Sequence, residues 1–216
     1  MPTVLHLTFV RDRLLLRRSG DRQTIVIAAF ALLIFAVSLW QNLSAIPESQ
    51  FHPDESRWLN RAYYLRALLH PTSGLWEDRY LTRGQPPMGS YVTGFGLLLQ
   101  GRDLDANGPW DFHFGNESTT TWNVVKGNMP NQDDLVAARR TSAILGALTC
   151  VILFLIVTRL SNWVGGTVGA LFLAFHPLQV YLGSLAVSDI VFTFFVALST
   201  LMIVGLAARP SWPRAI

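Results

Sequence analysis

Charge and cysteine are both scarce in this chain. Only 14% of the residues are charged and 50% are hydrophobic, whereas soluble domains are about 25% charged. The composition therefore excludes an ordinary soluble domain. Cys150 is the only cysteine, which excludes an internal disulfide and a thiolate metal site. The motifs GxxxxGKS, GxGxxG and HExxH are absent, so nothing supports a nucleotide-phosphate cradle or the commonest zinc protease signature.

Long uncharged stretches predict an all-α integral membrane protein with about four transmembrane helices. About 20 apolar residues in a helix cross the hydrocarbon layer. The first span is expected at residues 23–42, and three more within residues 139–208. The third is the least regular, because Pro177 lacks an amide proton and disfavours helix before it, so a kink is expected near His176. Gly165 and Gly169 have the spacing that permits close helix packing.

The distribution of arginine predicts the orientation. Cytoplasmic segments of membrane proteins are enriched in Lys and Arg, and five arginines precede the first span. Residues 1–22 are therefore expected to be cytoplasmic, with residues 209–216 forming a cytoplasmic tail or a truncation point. Residues 43–138 are expected to be external. This pattern accounts for the pI of about 9.4 without a nucleic-acid surface. The plasma membrane is the expected location.

The external loop is expected to contain two interfacial amphipathic helices. Residues 53–70 fit the first, because Pro suits the first helical position, Asp54 and Glu55 suit the positive end of the helix dipole, and Pro71 follows. Its apolar stripe comprises Trp58, Ala62, Leu65 and Leu69. Residues 88–100 form an apolar segment that is too short to cross the membrane. Residues 102–134 are polar and predict an exposed excursion.

Two acidic positions are candidates for chemistry. Asp54 and Glu55 can simply favour a helix start, which contributes about 0.3–1 kcal/mol, or one of them can act as a general base. Asp189 is the only charged residue between Leu160 and Ala208. It is either an interfacial acid at a helix start or a group that reaches the same external cavity as Asp54. His176 is either a structural hydrogen-bond partner or a further group facing that cavity.

Four short motifs, taken in order, resemble the polyprenyl-phosphate-dependent GT-C glycosyltransferases. The likeness is greatest to the branch of protein O-mannosyltransferases and lipid A aminoarabinose transferases, and it covers roughly residues 28–208. The motifs are Pro53-Asp54-Glu55-Ser56-Arg57, Gln85-Pro86-Pro87-Met88-Gly89, residues 137–143 entering the second span, and Ala186-Val187-Ser188-Asp189.

The resemblance implies an inverting transferase that moves a sugar from a polyprenyl-phosphate donor to a protein, lipid or glycan acceptor on the outer face. It implies that Asp54 serves as general base or positions the acceptor, that Glu55 supports it, and that Asp189 lies near the active cavity. Gln85 and His176 are further candidate substrate-binding residues. No metal is required by this scheme, although a carboxylate pair could hold a divalent ion.

Three arginines are candidates for the donor phosphate on chemical grounds, because a guanidinium group matches phosphate oxygens. They are Arg57, Arg139 and Arg140. Members of the family have many more spans than four, so the resemblance also implies that this chain is the N-terminal portion of a longer enzyme. Two alternatives remain open: a non-enzymatic membrane assembly subunit, and a transporter fragment in which Asp189 is a coupling acid.

Overall fold

The computed structural model of the protein describes residues 21–77, 87–105, 107–108, 115 and 117–208. Throughout these ranges the regular structure is helical and no strand occurs, which confirms the all-α fold. The α-helices are α1 (Asp21–Ala45), α2 (Pro53–Asn60), α3 (Leu65–Leu69), α4 (Met88–Leu99), α5 (Thr119–Lys126), α6 (Gln132–Leu160), α7 (Trp163–Ala174), α8 (Pro177–Gly183) and α9 (Ser188–Ala208). Short 3₁₀ helices cover Ile46–Glu48, Arg61–Tyr64 and Gly74–Glu77. Nearly all of the basic N-terminal segment and the segment at 209–216 lie outside the described residues.

Among the described residues, three helices are long and apolar enough to cross a membrane, namely α1, α6 and α9. Helices α7 and α8 make a fourth crossing if the bent pair counts as one span. Their axes differ by 65° at the break between Ala174 and Pro177. The kink predicted near His176 is confirmed, and it arises because Pro177 cannot donate a hydrogen bond to the preceding turn.

The described chain divides into two compact units, and the first holds most of the length of the spans. It comprises residues 21–41, 146–180 and 193–208. Its core contains Ile34, Cys150, Phe154, Ala170 and Ala174. The cysteine is fully buried and accepts a hydrogen bond from Ser38 at 3.3 Å. This thiol therefore serves packing within the span.

A glycine allows close packing at the start of α7, but it is not one of the predicted pair. A Cβ on Gly166 would lie 2.8 Å from the carbonyl oxygen of Phe154, whereas a Cβ on Gly169 would meet nothing within 4 Å. The nearest atoms to a Cβ on Gly165 are at ordinary contact distance. The prediction of close approach at Gly165 and Gly169 was therefore wrong, because the close approach is at Gly166. Spacing alone does not identify the face of the helix that packs.

The second unit contains the described parts of the long loop and the adjoining helix ends, within residues 42–145 and 181–192. Helix α4 packs against α2, α3 and the 3₁₀ turn between them. Glycines allow this approach: a Cβ on Gly89 would lie 2.6 Å from the ring of Trp58, and a Cβ on Gly94 would lie 2.5 Å from the Ala62 carbonyl. The apolar core of this unit includes Leu59, Tyr64 and Leu97.

The predicted helix at residues 53–70 is present but broken. Helices α2 and α3 flank the 3₁₀ turn Arg61–Tyr64. Three members of the predicted stripe are buried, while Leu69 is 61% exposed. Arg61 is instead buried, with its guanidinium 5.4 Å from the centre of the Trp58 ring. The change to a tighter helix shifts the buried face, and a constant helical period cannot anticipate that shift.

The polar stretch of the loop contains more order than its composition predicts. Helix α5 is capped by Ser118, whose hydroxyl accepts from the amide of Thr121, and it ends at Gly127 with φ of 71°. Helix α6 begins at Gln132, well before the uncharged part of the span. Asp134, in its first turn, is buried and pairs with Arg102. The prediction of a wholly exposed excursion is therefore wrong at these positions.

Candidate active site

The motif around Asp54 forms the start of helix α2. His52 precedes the helix in an extended conformation, and Pro53 occupies the first helical position. The amide of Asp54 donates to Nδ1 of His52 at 3.2 Å, and the amide of His52 donates to Oε2 of Glu55 at 2.9 Å. These reciprocal bonds satisfy amides that the helix itself leaves unpaired. The same turn of the helix directs the carboxylates of Asp54 and Glu55 to different sides.

Glu55 points into the protein and forms an ion pair with Arg139 of α6. The Nε and Nη2 groups of Arg139 donate to the two carboxylate oxygens, each at 2.8 Å. The Glu55 side chain is 0% exposed and that of Arg139 is 4% exposed. A parallel pair of charge-assisted bonds is the strongest arrangement that these two side chains can adopt. The pair therefore fixes α2 against the start of the second span.

The remaining N–H groups of Arg139 are also occupied. Nη1 donates to the carbonyls of Ile46 and Ser49 at 3.2 and 3.1 Å, and Nη2 donates to the carbonyl of Gln50 at 3.2 Å. A guanidinium group has five N–H donors, and all five are used within the described residues. This arrangement argues against Arg139 as the ligand of a donor phosphate, which stays a prediction without structural support.

Glu55 also reaches the segment that leads into α9. Its Oε1 atom accepts a hydrogen bond from the amide of Ala186 at 2.8 Å. Asp189 follows three residues later, is exposed, and lies in the first turn of α9. Asp54 and Asp189 are therefore each only a few residues from the same buried carboxylate. Sequence reasoning did not identify this link, because no local pattern relates Glu55 to a backbone amide 131 residues away.

Asp54 points outward from the same turn. Its side chain is 44% exposed, and its Oδ2 lies 3.8 Å from Nδ1 of His52. The same nitrogen accepts the hydrogen bond from the amide of Asp54. A rigidly mounted, accessible carboxylate can take a proton from a substrate hydroxyl. Arg57 lies one turn further along α2 and is half-buried.

The other candidate residues have separate environments. Arg140 is exposed on α6, next to the buried Arg139. His176 belongs to the other compact unit, where its Nδ1 accepts from the amide of Leu178 at 3.3 Å and caps α8. Its role at a sugar site stays a prediction. Gln85 lies outside the described residues.

Carboxylates that could hold a divalent ion are not grouped in the described part of the chain. Within it, no set of three His, Cys, Asp or Glu side chains lies close enough to bind a metal. Of the adjacent pair at the start of α2, Glu55 is occupied by Arg139. The expectation that the reaction needs no metal stays a prediction.

Residues 131–215 match the family model of dolichyl-phosphate-mannose-protein mannosyltransferases. The match includes Arg139, Arg140, His176 and Asp189, but it does not extend to the motif around Asp54. It indicates a membrane glycosyltransferase of the GT-C kind. No curated protein and no solved structure gives a significant match to the chain.

Proposed function

We propose that this chain contributes the acid-bearing part of a glycosyltransferase that uses a polyprenyl-phosphate sugar as donor. The observation that carries the proposal is the contrast between two neighbouring carboxylates. Glu55 is buried and fully engaged, while Asp54 is accessible on a helix start that Glu55 and Arg139 hold in place. The family match supports a transferase over the assembly subunit and the transporter fragment.

The proposed reaction inverts the anomeric carbon. Asp54 takes the proton from an acceptor hydroxyl as that oxygen attacks the anomeric carbon from the face opposite the lipid phosphate. The new bond joins the acceptor oxygen to the sugar, and the bond between the sugar and the phosphate oxygen breaks. Its electron pair leaves with the polyprenyl phosphate, and the proton stays on the Asp54 carboxyl. General base catalysis of this kind contributes about 10²–10⁴-fold to a rate.

Arg57 is the arginine that we assign to the donor phosphate. It follows Asp54 by three residues, so the two side chains lie on neighbouring positions of one helix face. A cation there would stabilise the charge that develops on the leaving phosphate. Arg139 has no N–H left to donate, and Arg140 lies on a different helix. Asp189 is proposed as a further contact to the substrates.

The decisive experiment measures sugar transfer in membranes from cells in which the chromosomal gene carries Asp54→Asn. Loss of transfer by about 100-fold or more, with unchanged protein abundance, is the expected result. Asp105→Asn is a matched control, because Asp105 is another accessible acid of the loop, paired with the exposed Arg66. Near-normal turnover by the Asp54 variant would overturn the assignment of the base.

The donor needs its own measurement. Membranes are supplied with the sugar on a polyprenyl phosphate or on a nucleotide, and transfer is followed with the native protein and with Arg57→Gln. Transfer from the lipid donor alone, weakened in the variant, is the expected result. Transfer from the nucleotide sugar alone would contradict the proposal.

A further inference from the structure

Two adjacent arginines at the start of the second span differ in burial and in the use of their N–H donors. Arg139 is buried, and its five donors are used within the protein. Arg140 is exposed, and its side chain makes no hydrogen bond or ion pair with the described part of the chain. A guanidinium group that none of the described residues neutralises can bind an external anion.

Arg140 lines a groove of about 570 Å³ between the end of α1 and the start of α6. Both arginines contribute to the lining, but Glu55 already neutralises Arg139, so Arg140 provides the net charge. Gln132 and Ser49 add polar groups at the same groove. The remaining walls are apolar and consist of Leu43, Ile46, Pro47 and Val136.

The groove lies at the depth where lipid headgroups are found. Arg140 directly precedes the uncharged stretch at residues 141–158, which spans about 27 Å as a helix at 1.5 Å per residue. This length is close to the thickness of the hydrocarbon layer, about 30 Å. The end of α1 reaches the same boundary, because Glu48 is the first charged residue after its apolar run. This length estimate places the Arg140 guanidinium at the level of the lipid phosphates.

We propose that this groove binds an anionic glycerophospholipid of the surrounding leaflet, with the lipid phosphate on Arg140 and an acyl chain against the apolar walls. The lining includes two cations and no carboxylate. A headgroup that carries a cationic nitrogen, such as choline, would therefore find no carboxylate among the lining residues, whereas a hydroxylated anionic headgroup can use the side-chain amide of Gln132. The site favours phosphatidylglycerol over phosphatidylcholine.

The groove is not assigned to the sugar donor. None of its lining residues belongs to α2, which carries Asp54 and Arg57. The bound lipid would instead fill the space beside the Glu55–Arg139 pair and support the helix ends that this pair joins. Its binding is measured without sugar donor or acceptor, so the result does not depend on the proposed function.

The experiment uses the purified chain in detergent, with bound lipid counted by native mass spectrometry. Phosphatidylglycerol, phosphatidylcholine and polyprenyl phosphate are added separately to the native protein and to Arg140→Gln, Arg140→Lys and Arg66→Gln. The variant Arg66→Gln is the control for charge, because Arg66 is an exposed arginine of the same unit that pairs with Asp105. Each variant is first checked for an unchanged elution profile.

The expected result is selective retention of phosphatidylglycerol, weakened about fivefold or more by Arg140→Gln, which corresponds to the attraction of one basic residue to an anionic lipid. Arg140→Lys should retain most of the binding, and Arg66→Gln should retain all of it. Equal binding of phosphatidylcholine, or an unchanged affinity in Arg140→Gln, would overturn the proposal. So would binding of polyprenyl phosphate alone, which would identify the groove as a donor site.

Discussion

Glu55 and Arg139, which are 84 residues apart in the chain, form a buried ion pair with two parallel hydrogen bonds of 2.8 Å. The pair joins the first turn of α2 to α6. Arg139 also donates hydrogen bonds to the segment after α1, and Glu55 accepts one from the segment before α9. Four parts of the chain therefore meet at one carboxylate and one guanidinium. The accessible Asp54 lies next to Glu55 in the same helical turn.

Removing the cation of this pair should destabilise the second unit, which contains the long loop. Arg139→Gln would leave the Glu55 carboxylate buried without its partner, and breaking a buried pair in this way costs about 3–5 kcal/mol. The expected result is a clear loss of folded protein and a lower midpoint in thermal denaturation, measured by size-exclusion chromatography after heating in detergent.

The adjacent arginine provides a matched control for that experiment. Arg140→Gln changes the same type of side chain one position further along α6, but Arg140 is exposed, so its effect on stability should remain within about 0.5 kcal/mol. Equal thermal midpoints for the two variants would contradict the structural role of Arg139. Loss of transfer by Arg139→Gln at unchanged stability would restore this residue as a candidate phosphate ligand.

The sequence could predict the fold but not the different roles of neighbouring residues that carry the same charge. Composition and uncharged runs identified the helical membrane fold, and Pro177 identified the kink. The sequence also singled out the motif around Asp54. It did not distinguish Arg139 from Arg140, or Glu55 from Asp54, because burial at the start of a helix depends on partners that are distant in the chain. The sequence signals at Ser118 and Gly127 could have identified α5.

A second prediction concerns the glycines of α7. Gly166→Ala should destabilise the unit of the spans by about 1–3 kcal/mol, since the added methyl group would meet the backbone carbonyl of Phe154. Gly169→Ala on the same helix should be neutral or stabilising, because open space surrounds that position and alanine favours helix by about 1 kcal/mol. Thermal midpoints in detergent compare the two variants. A larger loss for Gly169→Ala would show that the packed face is assigned incorrectly.

The orientation in the membrane is a third prediction, and the buried Cys150 makes it easy to test. Val125 in α5 is 72% exposed, and Ser161 is exposed between α6 and α7. If the loop is external, a membrane-impermeant maleimide should label Val125→Cys in intact cells and Ser161→Cys only after permeabilisation. The native chain, with its thiol inside a span, is the unlabelled control. The reverse pattern would invert the orientation inferred from the arginines.

A fourth prediction concerns Asp133 and Asp134, which are adjacent acids at the start of α6. The Asp134 side chain is 1% exposed and that of Asp133 is 77% exposed. Asp134 accepts hydrogen bonds from Nε of Arg102 and, at 3.1 Å, from the side-chain Nδ2 of Asn107. The hydrogen bond to Asp134 raises the pKa of Arg102 above its ordinary value, and an arginine is charged at physiological pH even without such a shift.

Asp134→Asn should therefore destabilise the loop unit by about 1–3 kcal/mol, because it removes the charge that Arg102 faces and replaces one acceptor of a buried network with a donor. Asp133→Asn should change stability by less than about 0.5 kcal/mol, since its carboxylate is solvated and lies 3.7 Å from Arg102. Thermal midpoints at low and high salt separate the two cases. The loss in the Asp134 variant should persist at high salt, because screening acts weakly on buried groups, and equal midpoints for both variants would refute this account of the network.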